Sequence, residues 1–343
     1  EKILEKVREK IQENKGEFID SFIFHAGDDI AILLTHEKGP ANEKIHQICF
    51  NAFLEASKIA KEQGLYGAGQ DLLVSAFSGN VKGMGPQVAE MEIEEREAEP
   101  FLVFLADKTE PGAFNLPLYL SFCDPMHNSG LLLSKKIKEG FRFVVMDVSF
   151  TEGDRVIELK TPEEIYDLAV LLREPSRFVV EAIYPKKGEE KVAVVSTTRL
   201  HNIAGKYVGK DDPVMVVRVQ KEFPATGEIL SPFALGYFVS GFMRGSHQGP
   251  LMPVKKGTTA SFFDGPPLVS CLAFCLKEGK LTEPVDCFDH PFWDEVRMQV
   301  AQKAKEIRKQ GFYGTAMLPM DELEYTGIVE TLNELEKKFK IRK

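Results

Sequence analysis

The sequence lacks the features that define several common protein classes. None of its apolar runs approaches the ~18 residues that a membrane-spanning helix needs. The five cysteines have neither zinc-ligand spacing nor the pattern of a disulfide framework, and we interpret them as free thiols in a cytoplasmic protein. Walker, dinucleotide-binding and Gly-x-Ser-x-Gly fingerprints are also missing, so these nucleotide-binding and serine-hydrolase classes have no support.

The sequence also has no excess of basic over acidic residues. The chain has 43 Lys and Arg against 52 Asp and Glu, a formal net charge of −9. This balance argues against broad binding of nucleic acid or anionic membranes, although it is compatible with a local basic pocket for a phosphorylated metabolite. The 343 residues are 43% hydrophobic, which suits one large domain or two fused halves.

Apolar patterning predicts both helices and strands. Most of the predicted strands are apolar at consecutive positions, so both of their faces should be covered, and the mixture indicates a layered α/β or α+β fold. The predicted helices are residues 1–14, 41–63, 162–173, 196–206, 292–310 and 321–340. The predicted strands are residues 18–24 and 30–34, bent at 25–29, and residues 101–105, 141–148, 178–184, 191–196, 214–219 and 268–276.

Five aspartates stand at predicted strand ends or in loops beside Gly or Pro. They are Asp28, Asp29, Asp107, Asp211 and Asp212. Carboxylates on loops can converge on one hard cation such as Mg²⁺, which takes oxygen ligands. The other interpretation is that they are ordinary turn aspartates, which are common. The residues alone leave both interpretations open.

Lys210 directly precedes two of these carboxylates, and Tyr207 lies three residues earlier. Lys210 is either a surface lysine paired with Asp211 or Asp212, or an amine nucleophile of the Schiff-base type. The two carboxylates would raise the pKa of the amine, but a cation bound to them would cancel that effect. Tyr207 is either a packed aromatic or a group that exchanges a proton with a substrate hydroxyl.

Seven segments together resemble one protein family, and they extend over nearly the whole chain. They are GDD at 27–29, LYGAGQD at 65–71, FSGN at 77–80, ADKTEPGAFN at 106–115, GKYVGKDDP at 205–213, MRGSH at 243–247 and FDGPP at 263–267. Their number and length make the resemblance specific. The sequence is similar to the bifunctional fructose-1,6-bisphosphate aldolase/phosphatases of archaeal type, also called class V fructose-bisphosphatases.

This resemblance implies an activity and an architecture. The family joins dihydroxyacetone phosphate to glyceraldehyde 3-phosphate and then hydrolyses the 1-phosphate of the resulting fructose 1,6-bisphosphate in the same pocket. Its subunit is a layered α-β-β-α sandwich of two mixed sheets flanked by helices. We therefore expect residues 1–343 to form a single catalytic domain that binds several Mg²⁺ ions, assembles as a homo-octamer and works in the cytoplasm.

The resemblance also implies roles for individual residues. Lys210 would form a Schiff base with dihydroxyacetone phosphate, and Tyr207 would be the acid/base of the aldolase step. The implied Mg²⁺ ligands are Asp28, Asp29, Gln70, Asp107, Asp211 and Asp212. The implied substrate contacts are Tyr66, Gly79, Asn80, Lys108, Gln220, Arg244, Asp264 and Tyr325.

The sequence departs from the family at its N-terminus. The family opens with a strand and a loop that carry an Asp and a His, ahead of the helix that begins here. We expect the native sequence to start upstream of Glu1. Two alternatives stay open: a phosphatase only, in which Lys210 binds phosphate, and an inactive protein that binds a sugar phosphate.

Overall fold

The fold was analysed in a computed structural model that describes residues 1–65, 86–150, 152–199, 211–235, 249–259, 265–309 and 327–342. The helices in these ranges are α1 Lys2–Gln12, α2 Glu43–Glu62, α3 Asn115–Cys123, α4 Gly130–Leu133, α5 Ile165–Leu172, α6 Thr226–Leu230, α7 Phe292–Lys309 and α8 Gly327–Glu336. The strands are β1 Asp20–Ala26, β2 Asp29–Thr35, β3 Gln87–Val88, β4 Pro100–Asp107, β5 Phe141–Asp147, β6 Asp154–Lys160, β7 Phe178–Pro185, β8 Ala193–Val195, β9 Thr198–Arg199, β10 Val214–Arg218, β11 Met252–Pro253, β12 Leu268–Lys277, β13 Lys280–Leu281, β14 Val285–Asp286 and β15 Lys340–Arg342. None of these helices is long and apolar enough to cross a membrane.

One large sheet runs through the centre of the fold, in the order β11-β12-β4-β10-β8-β7-β5-β6-β15. Strands β11 and β12 are parallel, and the remaining described pairs of neighbours along this order are antiparallel. Strands β13 and β14 also pair with β12. Because β4 and β10 are neighbours near the middle, the segments at their ends are brought together.

The large sheet is one of four layers. On one face, apolar side chains of α3, α5, α7 and α8 form the main core with the sheet. On the other face lies the β1–β2 hairpin, whose Phe24 and Ala26 pack on Phe101, Val103 and Leu105 of β4. The hairpin turns its other side to α1 and α2. The order helices, hairpin, large sheet, helices confirms the predicted layered sandwich.

Strand β4 shows how the sequence builds this core. Successive side chains of a strand point to opposite faces. Leu102, Phe104 and Ala106 accordingly join the helix-side core, while Phe101, Val103 and Leu105 face the hairpin. Both faces are covered, as the consecutive apolar residues predicted. Asp107 continues the series on the hairpin side, so the strand delivers a carboxylate into the buried layer between the two sheets.

Several predicted elements are confirmed, and two are wrong in part. Helix α2 ends as expected: Gly64 has φ +71°, and the N–H groups of Gly64 and Leu65 donate to the carbonyls of Lys61 and Ala60. The helix predicted over 196–206 is contradicted at Thr198–Arg199, which form β9 and pair with β3. The helix predicted over 321–340 is found as Gly327–Glu336, and Lys340–Arg342 instead pair with β6.

A buried ion pair closes the core at the end of β10. The Nε and Nη2 atoms of Arg218 donate to Glu99 Oε1 at 2.8 and 2.5 Å, and the two side chains are 1% and 4% exposed. Glu190 lies 3.2 Å from Arg218 Nη1, and the Phe223 ring packs 4.7 Å from the guanidinium carbon. A buried charge needs these partners because desolvation is costly.

Glu99→Gln is expected to destabilise the fold. The substitution keeps the size of the side chain but leaves Arg218 with only the partly exposed Glu190 as its counter-charge, so the free energy of unfolding should fall by about 3 kcal/mol. Urea unfolding followed by circular dichroism measures the change. Glu94→Gln is the matched control, since Glu94 is 74% exposed in its pair with Arg96 and exposed pairs contribute little. Equal stability of the two variants would contradict the assignment.

Candidate metal centre and substrate site

The turn between β1 and β2 forms one side of the site. Gly27 and Asp28 make a two-residue hairpin turn, since Ala26 pairs with Asp29. Gly27 has φ +59°, a conformation that favours glycine, and its N–H donates to the Thr258 carbonyl at 2.7 Å. A Cβ atom on Gly27 would lie 1.6 Å from Asp107 Oδ2. The absence of a side chain here is therefore what lets the hairpin approach the Asp107 carboxylate.

The segments that follow β4 and precede β10 form the other side. The N–H of Thr109 donates to Asp212 Oδ1 at 2.7 Å, and the N–H of Asp212 donates to the Thr109 carbonyl at 3.3 Å. Lys108 and Asp212 have φ 63° and 60°. Positive φ at a residue other than glycine costs about 1–3 kcal/mol and is found mainly where the surroundings impose it, often at functional sites.

Three carboxylates meet where these elements join. Oxygen atoms of Asp29, Asp107 and Asp212 all lie within 4.8 Å of one another, and Asp107 is fully buried. At this separation, each pair of charges repels by roughly 3–4 kcal/mol at an effective dielectric constant of about 20. This repulsion is offset by protonation of a carboxyl group, by a neighbouring positive side chain or by a bound cation.

The electrostatics of Asp107 point the same way. The pKa of this carboxyl is raised to about 7, chiefly by burial; Lys108 opposes the rise, and the charges of Asp28 and Asp212 add to it. Asp107 Oδ2 has no hydrogen-bond partner among the described residues, although a buried polar atom normally has one. An oxygen-only donor set with an unpaired buried oxygen fits a hard divalent cation.

Lys108 borders this cluster and is held by it. Its ammonium donates to Asp107 Oδ1 at 2.9 Å and to Asp28 Oδ1. Although burial favours the neutral amine, the carboxylates of Asp107 and Asp28 raise the pKa of Lys108, which is therefore charged. The site thus combines a carboxylate cluster with an adjacent positive charge, which a phosphate group can contact.

The structure brings together most of the predicted residues that it describes. Five of them meet at one place: Asp28, Asp29, Asp107, Lys108 and Asp212. Asp211 precedes Asp212 in the sequence and is buried. Nine predicted site residues lie outside the described residues. They are Tyr66, Gln70, Gly79, Asn80, Tyr207, Lys210, Arg244, Asp264 and Tyr325.

Gln220 is placed elsewhere. It follows the C-terminal end of β10, whereas Asp212 precedes the N-terminal end of the same strand. Its side chain donates to Thr226 Oγ1 at 3.0 Å. The structure therefore does not bring Gln220 to the carboxylate cluster of its own chain, and its contact with substrate stays a prediction.

Two polar residues behind the cluster were not predicted from the sequence. Gln87 Nε2 donates to the backbone carbonyls of Asp211 and Asp212, and Gln87 Oε1 accepts a hydrogen bond from Ser196 Oγ. Gln87 and Asp211 are 124 positions apart in the sequence. No local pattern signals a contact of that kind, because it depends on the pairing of distant strands.

The layered fold and the carboxylate cluster define a class of α/β protein in which three carboxylates are arranged as they could be around a metal ion. The particular family is given by comparison: the sequence profile of the family described as fructose-1,6-bisphosphatase matches residues 1–340, and the chain belongs to this family. Family and cluster together indicate a divalent metal requirement.

Curated relatives match almost the whole chain, and each is called fructose-1,6-bisphosphate aldolase/phosphatase. The protein of Thermus thermophilus is 58% identical over 98% of this chain and 93% of its own. That of Ignicoccus hospitalis is 50% identical over 95% of this chain and 83% of its own. That of Moorella thermoacetica is 47% identical over 98% of this chain and 88% of its own. These matches confirm the predicted family.

Proposed function

We propose that this chain is a bifunctional enzyme that makes fructose 1,6-bisphosphate from two triose phosphates and then removes its 1-phosphate. Family membership and the names of the relatives support both activities. The observation that carries the proposal is the meeting of Asp29, Asp107 and Asp212 beside Lys108. Asp212 follows Lys210 by two positions, so the amine is tied to this cluster by the chain itself.

The metal is proposed to be Mg²⁺, held by Asp28, Asp29, Gln70, Asp107, Asp211 and Asp212. Hard oxygen ligands and a phosphorylated substrate favour this ion. When bound, Mg²⁺ supplies stabilisation of the negative charge on the phosphoryl oxygens. The chain contributes the fixed positions: Thr109 orients the Asp212 carboxylate, and Gly27 leaves room for that of Asp107.

The condensation is proposed to run through Lys210. Its neutral amine attacks the carbonyl carbon of dihydroxyacetone phosphate, water leaves, and the resulting imine draws electrons from the neighbouring carbon as that carbon loses a proton. The carbon then bonds to the aldehyde of glyceraldehyde 3-phosphate, and water finally releases the product from the lysine. Tyr207 would exchange protons with the reacting oxygens. Cation binding at Asp211 and Asp212 would lower the pKa of the amine.

The remaining predicted residues are proposed to bind the substrate. Lys108 carries a charged ammonium at the cluster, and the planar guanidinium of Arg244 suits a phosphate group. The other proposed contacts are Tyr66, Gly79, Asn80, Gln220, Asp264 and Tyr325.

We further propose that the enzyme assembles as a homo-octamer and works in the cytoplasm, acting on phosphorylated trioses and fructose 1,6-bisphosphate.

Borohydride trapping tests the proposed function. Incubation with dihydroxyacetone phosphate, Mg²⁺ and borohydride should reduce the imine and fix the adduct on Lys210, which peptide mass spectrometry locates. Omitting dihydroxyacetone phosphate is the control and should leave Lys210 unlabelled. Adduct on another lysine would overturn the assignment. Phosphate release without any condensation would identify a phosphatase alone.

A further inference from the structure

The side chain of Gln87 links three parts of the chain behind the carboxylate cluster. Its Nε2 donates to the Asp212 carbonyl at 2.8 Å and also to the Asp211 carbonyl. Its Oε1 accepts from Ser196 Oγ at 2.5 Å. Ser196 is 1% exposed, and its hydroxyl oxygen in turn accepts the N–H of Val214 at 2.9 Å. The amide thus uses both donor hydrogens and its acceptor.

These partners fix the orientation of the amide. Two carbonyl oxygens accept only from an N–H, and the Ser196 hydroxyl, which already accepts from Val214, can donate to the amide oxygen. Rotating the amide by half a turn would place its oxygen against two carbonyl oxygens. The side chain of Gln87 therefore has one favourable arrangement, and this arrangement determines where the Asp211 and Asp212 carbonyls lie.

Gln87 also contacts both ends of the segment that carries Tyr207 and Lys210. The backbone of Gln87 pairs with Arg199, which immediately precedes residues 200–210. The side chain of Gln87 binds the carbonyl of Asp211, which immediately follows them. One residue thereby sets the separation of the two ends of this segment.

Asp212 is the residue that most needs such support. Its φ of 60° is unfavourable for a residue with a side chain. The backbone N–H of Thr109, which follows β4, donates to the Asp212 carboxylate, and the Gln87 side-chain amide donates to the Asp212 carbonyl. With both contacts in place, the carboxylate of Asp212 is directed towards Asp29 and Asp107.

We propose that Gln87, supported by Ser196, is a positioning residue that couples the cation site to Lys210. The inference rests on the proposed function. Gln87 acts through the backbone, since its side chain donates to the carbonyls of Asp211 and Asp212. Loss of its amide should loosen the direction of the Asp212 carboxylate and the placement of Lys210 together.

The test compares Gln87→Met with Gln47→Met. Methionine keeps the length of the side chain and removes its hydrogen bonds, and Gln47 is an exposed glutamine of α2 whose side chain donates to Asn51. Isothermal titration with Mg²⁺ alone measures the first effect, and the rate of borohydride trapping on Lys210 at saturating Mg²⁺ measures the second. Gln87→Met should weaken Mg²⁺ binding by about tenfold, the usual loss when a residue behind a metal ligand is removed. Trapping should slow as well.

Ser196→Ala is a second variant, which retains Gln87 but removes the hydroxyl that donates to its amide oxygen. It should weaken Mg²⁺ binding in the same direction but less, and the double variant should lose less than the sum of the single losses because both act through one contact. Unchanged Mg²⁺ affinity and trapping in folded Gln87→Met and Ser196→Ala would overturn the positioning role alone. A parent protein that neither binds Mg²⁺ nor forms the Lys210 adduct would instead overturn the proposed function.

Discussion

Lys210→Met is expected to abolish the condensation while phosphate release from fructose 1,6-bisphosphate continues. Methionine cannot form the imine, so the condensation rate should fall by roughly 10⁴ or more, as when an enzyme loses its nucleophile. The hydrolysis does not need the amine. It should therefore stay within about tenfold of the parent rate, a barrier change of ~1.4 kcal/mol. Aldehyde consumption and phosphate release measure the two reactions separately.

Lys206→Met is the matched control for this substitution. Lys206 belongs to the same stretch of sequence and loses the same charge, but no role in either reaction is proposed for it. Both rates should remain near those of the parent. If Lys210→Met lowered both reactions equally, the lysine would be a structural or phosphate-binding residue, and the phosphatase interpretation would replace the bifunctional one.

Gly27→Ala is expected to impair both reactions at once. The added Cβ would lie 1.6 Å from Asp107 Oδ2, so either the hairpin or the carboxylate must move. Asp107 is fully buried among backbone and side chains, which leaves it little freedom to move without losing its direction towards Asp29 and Asp212. Mg²⁺ affinity measured by calorimetry should fall between about ten- and a hundredfold, as for other disturbances around metal ligands.

Gly39→Ala separates the clash from backbone strain. Gly39 has φ +74°, close to the +59° of Gly27, but a Cβ added there would meet no atom of the described segments within 4 Å. Both variants should lose comparable stability from the left-handed backbone, about 1 kcal/mol. Only Gly27→Ala should lose Mg²⁺ affinity. Similar affinities for the two variants would show that the hairpin and Asp107 are not tightly packed in solution.

The sequence predicted the positions of the carboxylates better than their convergence. Asp107 was expected at the end of a buried strand because residues 101–105 are apolar at every position, and it is found there. The meeting of Asp107 with Asp212 depends on the pairing of Val214 with Leu105, which joins parts of the chain more than a hundred residues apart. The register between two distant strands is set by tertiary packing, and the local sequence pattern of either strand does not predict it.

The two errors in secondary structure have the same origin. The stretch from Ser196 was interpreted as a helix, but Thr198–Arg199 pair with β3 and so continue the chain as a strand. At the C-terminus, Lys340–Arg342 form the edge strand β15 beside β6, and the helix ends at Glu336 instead of continuing to residue 340. In both cases, hydrogen bonds to a distant strand outweighed local propensity, which is only a weak guide to conformation.

The β1–β2 hairpin and strand β4 differ in the free energy that is needed to open them locally. Strand β4 has a neighbouring strand on each side and is covered on both faces, so its amide hydrogens exchange only when most of the domain opens. The hairpin is a separate two-stranded sheet and can open at lower free energy. A cation that binds Asp29 together with Asp107 and Asp212 would act as a cross-link between a weakly and a strongly held part of the chain. Every increment of its binding energy would then be added to the cost of opening the hairpin.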